Sequence, residues 1–337
     1  MDYRHLTSGE KVVAFDLDHT LIKPKTTKFP KNRDDAVLVF PEITAKIEQL
    51  LADDYTLVIF TNQRGIPKKI TLEDIYHRID NYVPHGKKFN VYISYKYDRY
   101  RKPSPGMLDE FMENNGTITD IVYVGDAAGR KKDFSASDAQ FAHNCGIEFK
   151  TPEQYFLNND DGGLPVIPHL KAPKPIPMGF HFNPKTILIL MGFPGSGKST
   201  LARKLADTHP GTVIISNDTS GNADKSLRLF RQALDDDETQ RIIVDNTNPT
   251  VMNRVPFIEA AKDHDYKVIG VHVAIDRETA QHLNWYRCYH NDCILIPEIA
   301  YRMYASRSEP VTETEGYDIF KKYVPKLPKK IFEYSFA

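Results

Sequence analysis

Short apolar runs, separated by stretches of helical spacing, recur along almost the whole chain. In the first half the runs fall at residues 12–15, 56–60, 91–94 and 121–124. In the second they fall at 186–191, 212–215, 241–244 and 267–273. Runs this short and this apolar predict strands covered on both faces, as in parallel sheets. Between them, helical spacing marks residues 41–51 (Ile43, Ile47, Leu50, Leu51), 72–83 and 107–113, then 199–206, 225–234 and 252–263. Polar residues cluster after each strand. This order predicts doubly wound parallel sheets. Residues 158–185 hold six prolines and little periodicity, which predicts a linker or a strap on a domain surface. The chain therefore reads as two doubly wound α/β domains, residues 1–170 and 171–337, meeting near Lys171.

Composition narrows the class. A chain of 337 residues can bury two separate cores. Charged residues make up 26 % and the net charge is −1 with His neutral, so contact with a polyanion has to be local. Local basic clusters exist at Lys68-Lys69, Lys87-Lys88, residues 97–102 with their interleaved tyrosines, and residues 130–132. Cys145, Cys288 and Cys293 make no C-x-x-C pair. Neither a disulfide framework nor a zinc knuckle is expected, and a reducing compartment fits. The polar N-terminus does not read as a signal peptide, and no apolar run approaches the roughly 20 residues of a membrane span. A soluble intracellular protein is expected.

The second half carries the clearest chemical pattern. Residues 192–200, GFPGSGKST, follow a predicted strand and open a predicted helix. Gly192, Gly197, Lys198 and Ser199 meet the phosphate-loop pattern in the strand–loop–helix context it needs. Glycines at this spacing, Gly195 included, let backbone N–H groups approach phosphate oxygens, and the helix N-terminus adds partial positive charge. ATP is the expected ligand, held by Gly192, Gly195, Ser196, Gly197, Lys198, Ser199 and Thr200, with Mg²⁺ on the Ser199 hydroxyl. Asp218 and Asp245 follow the strands at 212–215 and 241–244, where either carboxylate could serve a metal or act as the base; Asp245 could also cap a helix. Residues 277–307, rich in Arg, Tyr, His and Trp, read as an amphipathic helix pair or as a lid carrying one or two arginines, among them Arg287.

In the first half, Asp16-Leu17-Asp18-His19-Thr20 follows a strand, placing two carboxylates at the mouth of a sheet. Thr61, Lys102 and Asp126 stand after the next strands. This ordered set resembles the four motifs of the haloacid-dehalogenase superfamily of phosphohydrolases. The resemblance implies Asp16 as nucleophile and Asp18 as general acid/base. Thr61 would bond a phosphate oxygen and Lys102 would neutralise charge. Mg²⁺ would lie on Asp16, Asp126 and a backbone carbonyl at Asp18.

Longer strings narrow the likeness further: FDLD at 15–18, VIFTNQ at 58–63, YRKP at 100–103, YVGDAAGR at 123–130, KDFS at 132–135 and DNTNP at 245–249. Nearly the whole chain resembles the polynucleotide kinase 3′-phosphatases, bifunctional end-healing enzymes of strand-break repair. This family implies a 3′-phosphatase followed by a 5′-hydroxyl kinase, with Asp218 as the kinase base and Asp245 as the metal carboxylate. DNA ends are the expected substrate in a nuclear setting, met by local electrostatic contacts at Arg101, Arg130 and Lys132 near the Asp16 mouth and by Arg254, and a monomer is expected. His19 departs from the glycine usual there. The ten or so residues before the first strand leave no room for the phosphopeptide-binding module of the animal enzymes, so recruitment through it is not expected. A small-molecule phosphatase fused to a metabolite kinase is the rival reading, favoured mildly by the neutral charge and opposed by the basic clusters. An inactive scaffold is a second rival, opposed by the presence of Asp16 and Lys198.

Overall fold

A computed structural model describes residues 1–6, 11–27, 29–64, 70–116, 118, 120–159, 167–291 and 293–336. The chain divides into two compact units. The first comprises Met1–Leu170 with Trp285–Leu295 and Phe332–Ala337; the second comprises Lys171–Asn284 and Ile296–Ile331.

In the first unit the chain runs β1 (Asp2–Arg4), β2 (Lys11–Phe15), β3 (Ile22–Lys23), β4 (Val37–Leu38), α1 (Glu42–Ala52), β5 (Thr56–Asn62) and α2 (Leu72–Tyr82). It continues through β6 (Asn90–Ser94), α3 (Gly106–Asn115), β7 (Asp120–Val124), α4 (Ser137–Cys145), β8 (Glu148–Lys150) and α5 (Pro152–Leu157). The main sheet is ordered β1-β6-β5-β2-β7-β8. All its pairings are parallel except that of β1 with β6. Apolar side chains alternate between two cores, one with Phe15, Ile59, Ile75 and Ile79, the other with Ala14, Phe60, Tyr92 and Phe141. That two-sided burial is why the strand runs carry no polar alternation. Thr71 starts α2 with a reciprocal cap: its hydroxyl accepts from Asp74 N, and Asp74 accepts from Thr71 N. The helix then faces the core with Ile75, Arg78 and Ile79.

The second unit holds β9 (Thr186–Met191), α6 (Lys198–Thr208), β10 (Thr212–Ile215), α7 (Asn217–Ser220), α8 (Ala223–Asp235), β11 (Arg241–Asp245), α9 (Val251–Ala261) and β12 (Lys267–Val273). The helices α10 (Arg277–Asn291) and α11 (Glu298–Arg307) follow, then β13 (Ile319–Tyr323). Its sheet is wholly parallel in the order β10-β11-β9-β12-β13.

Every strand the apolar runs predict is present. The edge strands β1, β8 and β13 were not legible, because an edge needs one partner only and tolerates polar residues. Residues 277–307 form the predicted helix pair, but Trp285–Leu295 counts with the first unit, so the second unit is not continuous in sequence. The cysteine expectation is corrected. Cys288, in the last turn of α10, and Cys293, just past it, are joined by a disulfide, which the five-residue separation across the helix end permits. Cys145 is free. Of the proline-rich stretch, residues 160–166 lie outside the described residues; among the others, Ile176 pairs with Val324 as an isolated bridge. Among the described residues no helix is long and apolar enough to cross a membrane.

Candidate functional site

Strand order sets the first site. From β2 the chain passes to β5 and β6 on one side, then returns to β7 and β8 on the other. The carboxyl ends of β2 and β7 therefore meet at a topological switch point, where such sheets hold ligands. Phe15 pairs with Val124, and Asp16 N donates to Val124 O at 2.8 Å. Asp16 and Asp126 follow directly.

Lys102 binds this corner together. Its buried Nζ donates to Asp16 Oδ1, to Asp138 Oδ1 and to the Tyr123 hydroxyl, each at 2.7 Å. Tyr123 in turn donates to Asp138 Oδ1 at 2.9 Å. The Asn62 side chain fixes the Lys102 backbone, accepting from its N–H at 3.0 Å and donating to its carbonyl at 3.1 Å. Carboxylate oxygens of Asp16, Asp126 and Asp138 all lie within 4.8 Å of one another. Three acids facing one lysine leave surplus negative charge in a buried place. Burial pushes Asp16 up to about 7 and Asp126 up to about 8, and the neighbouring acids add to both. For Lys102, burial acts downward, but Asp138 and Asp16 outweigh it and hold the ammonium above its ordinary value. A hard cation on oxygen donors would relieve this charge, so the donor set fits a divalent metal.

Asp18 stands at the outer side of the same mouth. Gln63 Nε2 donates to its Oδ2 at 2.7 Å and to Thr61 Oγ1 at 2.9 Å, while Arg78 Nη2 donates to its Oδ1 at 2.7 Å. The Thr20 hydroxyl donates to Asp126 Oδ1 at 3.4 Å. His19 has φ 64°, a left-handed conformation in which a glycine would be unstrained.

The phosphate loop follows β9 in the second unit. Gly192 has φ 140°, and a Cβ there would lie 2.7 Å from Val273 O; Gly195 has φ 76°, with a Cβ 2.8 Å from Ala280 O. Only glycine passes both points. Gly197 begins α6 in a left-handed conformation, with Ser196 buried before it and Ser199 and Thr200 exposed on the first turn. Lys198 Nζ donates to Gly192 O at 2.9 Å and to Phe193 O at 2.7 Å. Burial pushes Lys198 down to about 8, against the pull of Asp245 and Asp218. Ser199 is within hydrogen-bonding reach of Asp245, whose carboxyl burial raises and whose Oδ1 is buried without a partner. Asp218 is exposed on α7, where Ser216 caps its N–H. Asn246 Oδ1 accepts from Asn217 N at 2.7 Å, tying the β11 turn to α7.

The profile of the family described as polynucleotide kinase 3 phosphatase matches residues 11–156. Over 94 % of its length the chain is 33 % identical to a bifunctional polynucleotide phosphatase/kinase of Schizosaccharomyces pombe, covering 80 % of that protein. The chain belongs to the bifunctional polynucleotide phosphatase/kinase family. A putative member from Acanthamoeba polyphaga mimivirus is 30 % identical over 91 % of this chain and 83 % of its own. The polynucleotide 3′-phosphatase of Saccharomyces cerevisiae is 32 % identical over 45 % of this chain and 90 % of its own. A second profile, described as a viral superfamily 1 RNA helicase core domain, matches residues 188–248, from within β9 to the turn after β11.

Within this family member the expected nucleic-acid contacts separate. Arg101 stacks on Tyr97, its carbon 4.8 Å from the ring centre, and its Nη1 is buried without a partner. Arg130 donates to Asp133 at 2.8 Å and Glu153 at 3.1 Å, and Lys132 donates to Glu153 at 2.9 Å, so both cations already face carboxylates. Arg254 is a correction. It is 1 % exposed and grips Glu315 with two donations at 2.7 and 2.8 Å. It also donates to the carbonyls of Asn248, Pro249, Glu309 and Pro310. Its face of α9 points inward, so it braces the turn after β11 instead of meeting a strand. Arg287 is exposed on the part of α10 that counts with the first unit. Lys68 and Lys69 lie outside the described residues. Sequence reasoning missed Asp138 and Arg78. Asp138 is the second residue of α4, three residues past the KDFS string, and an acid at a helix start was the only sequence signal.

Proposed function

We propose that the protein heals nucleic-acid ends, removing 3′-phosphates at the Asp16 centre and phosphorylating 5′-hydroxyls at the Lys198 centre. The observation that carries this reading is the junction of Asp16, Lys102 and Asp126 at a sheet switch point in a chain that also holds a complete phosphate loop. The relationship to polynucleotide enzymes over both halves supports the substrate class.

At the first centre Asp16 attacks phosphorus, forming an aspartyl-phosphate as the bond to the 3′-oxygen breaks. Asp18 gives that oxygen a proton, then takes one from the water that cleaves the acyl phosphate. Thr61 and Lys102 balance the phosphoryl charge. Asp16, Asp126 and the backbone carbonyl at Asp18 would hold Mg²⁺, which supplies charge neutralisation at the phosphoryl oxygens. At the second centre the loop amides and Lys198 hold the ATP phosphates, Ser199 and Asp245 would hold Mg²⁺, and Asp218 accepts the proton of the incoming 5′-hydroxyl. Asp218 has the better claim to the base role because it is exposed, whereas Asp245 is half-buried within reach of Ser199. We place the substrate as DNA with 3′-phosphate or 5′-hydroxyl termini, and the protein as a nuclear monomer.

The test is a nicked duplex bearing both damaged ends, incubated with the full chain, Mg²⁺ and ATP. Conversion to 3′-hydroxyl and 5′-phosphate is expected. No change at either end, with turnover of sugar phosphates instead, would replace this reading with that of a metabolite enzyme.

A further inference from the structure

We propose that Arg78 is a positioning residue for the phosphatase, acting through Asp18 to hold the proton carrier against the departing oxygen. The proposal deepens the phosphatase reading and rests on it. Arg78 lies on the core face of α2 between Ile75 and Ile79, and its side chain has no exposed surface. Its Nη2 donates to Asp18 Oδ1 at 2.7 Å, while Nε and Nη1 are buried with no partner. Arg254 in the second unit shows how a buried structural arginine is satisfied, with one carboxylate and four carbonyls around it. Arg78 is left with two bare nitrogens for the sake of one oxygen of Asp18. A buried guanidinium so poorly paired is costly, and the contact that offsets it is with a residue at the reacting mouth.

The arrangement has a geometric effect on Asp18. Arg78 holds Oδ1 and Gln63 holds Oδ2, and Gln63 also holds Thr61. One rotamer of the carboxyl is thus selected from two sides, in a side chain that is otherwise 30 % exposed and free to turn. Asp18 hands its proton to the 3′-oxygen as the P–O bond breaks and recovers one from water in the second step. Arg78 has no exposed surface and acts through its bond to Asp18, so its contribution is the orientation of that transfer.

Leaving-group chemistry separates this role from a merely structural one. A 3′-sugar oxygen leaves poorly without a proton, whereas p-nitrophenolate leaves without help. Turnover of a 3′-phosphorylated oligonucleotide and of p-nitrophenyl phosphate is measured for the wild-type chain, Arg78→Met, Arg78→Lys and the same changes in an Asp18→Asn background, with Mg²⁺ present. For Arg78→Met the oligonucleotide kcat should fall by about 10²-fold, within the range of a misplaced general acid, at nearly unchanged KM. The p-nitrophenyl phosphate kcat/KM, which reports the step that expels the leaving group and not the aspartyl-phosphate hydrolysis both substrates share, should hold within about 3-fold, and Arg78→Lys should recover part of the oligonucleotide loss. In the Asp18→Asn background the Arg78 change should add nothing. Equal loss of kcat/KM on both substrates, or additive loss beside Asp18→Asn, overturns the proposal. If Arg78→Met does not fold, Arg78→Lys carries the same comparison. The two failures separate: a wild-type chain active on neither substrate refutes the phosphatase reading and this role with it, whereas equal loss refutes the role alone.

Discussion

Arg254 offers the sharpest choice between two roles, because its sequence position suggests a polynucleotide contact and its burial makes it a brace. Replacing it with leucine removes both bonds to Glu315 and leaves that carboxylate, itself 6 % exposed, with the Thr312 amide as its remaining hydrogen-bond donor among the described residues. Breaking one partner of a buried ion pair costs about 3–5 kcal/mol. The four carbonyls that Arg254 serves lose their donor as well, so the upper end applies. Against a total stability of roughly 5–15 kcal/mol this is a large share. At about 2–4 °C of midpoint per kcal/mol for a body of this size, a drop of roughly 10–20 °C is expected in thermal unfolding. For Glu315, burial acts upward, but the Arg254 bonds outweigh it and hold the carboxyl below its ordinary value. The contribution is therefore present above that ordinary value and is lost as pH falls through the lowered one. Removing both charges, Arg254→Leu with Glu315→Leu, should recover much of the loss. The deciding assay pairs thermal unfolding with oligonucleotide binding at several salt concentrations. A lost phosphate contact would flatten the logarithmic salt slope by about one unit. A flattened slope with unchanged stability would refute the brace and restore Arg254 to the nucleic-acid surface.

Other outcomes follow from the same geometry. Asp16→Asn should abolish 3′-phosphate release and spare kinase activity, and Lys198→Met should do the reverse, measured on one doubly damaged nick; loss of both from either change would sink the two-centre reading. Asp218→Asn should lower the transfer rate by about 10²–10⁴-fold with ATP binding retained, whereas Asp245→Asn should raise the Mg²⁺ concentration for half-maximal rate. Finding the Mg²⁺ shift in the Asp218 variant alone would swap the assignments. Asp16 at about 7 and Asp126 at about 8 both stand above the ordinary 3.8, so their stabilising share is present in acid and lost as pH rises through those values. Mg²⁺ should therefore raise the melting temperature more at pH 8.5 than at pH 5.5, and an equal rise at both would argue against cation binding by these acids.

The apolar runs and their spacing already determined two parallel α/β units, because a strand covered on both faces must be apolar throughout and such runs are local features. Asp16, Asp18, Thr61, Lys102, Asp126 and Lys198 were legible for the same reason. Each stands at the carboxyl end of a strand or on the loop that leaves it, and doubly wound sheets gather their strand ends at one edge whatever the order. What the order itself decides could not be read along the chain. Asp138 reaches Lys102 only because α4 starts beside β7, which lies next to β2. Arg78 reaches Asp18 only because α2 packs its core face under that mouth. Arg254 looked available because charge normally marks a solvated face. A buried carboxylate 61 residues later, at Glu315, reverses that inference, and only tertiary packing brings the two together.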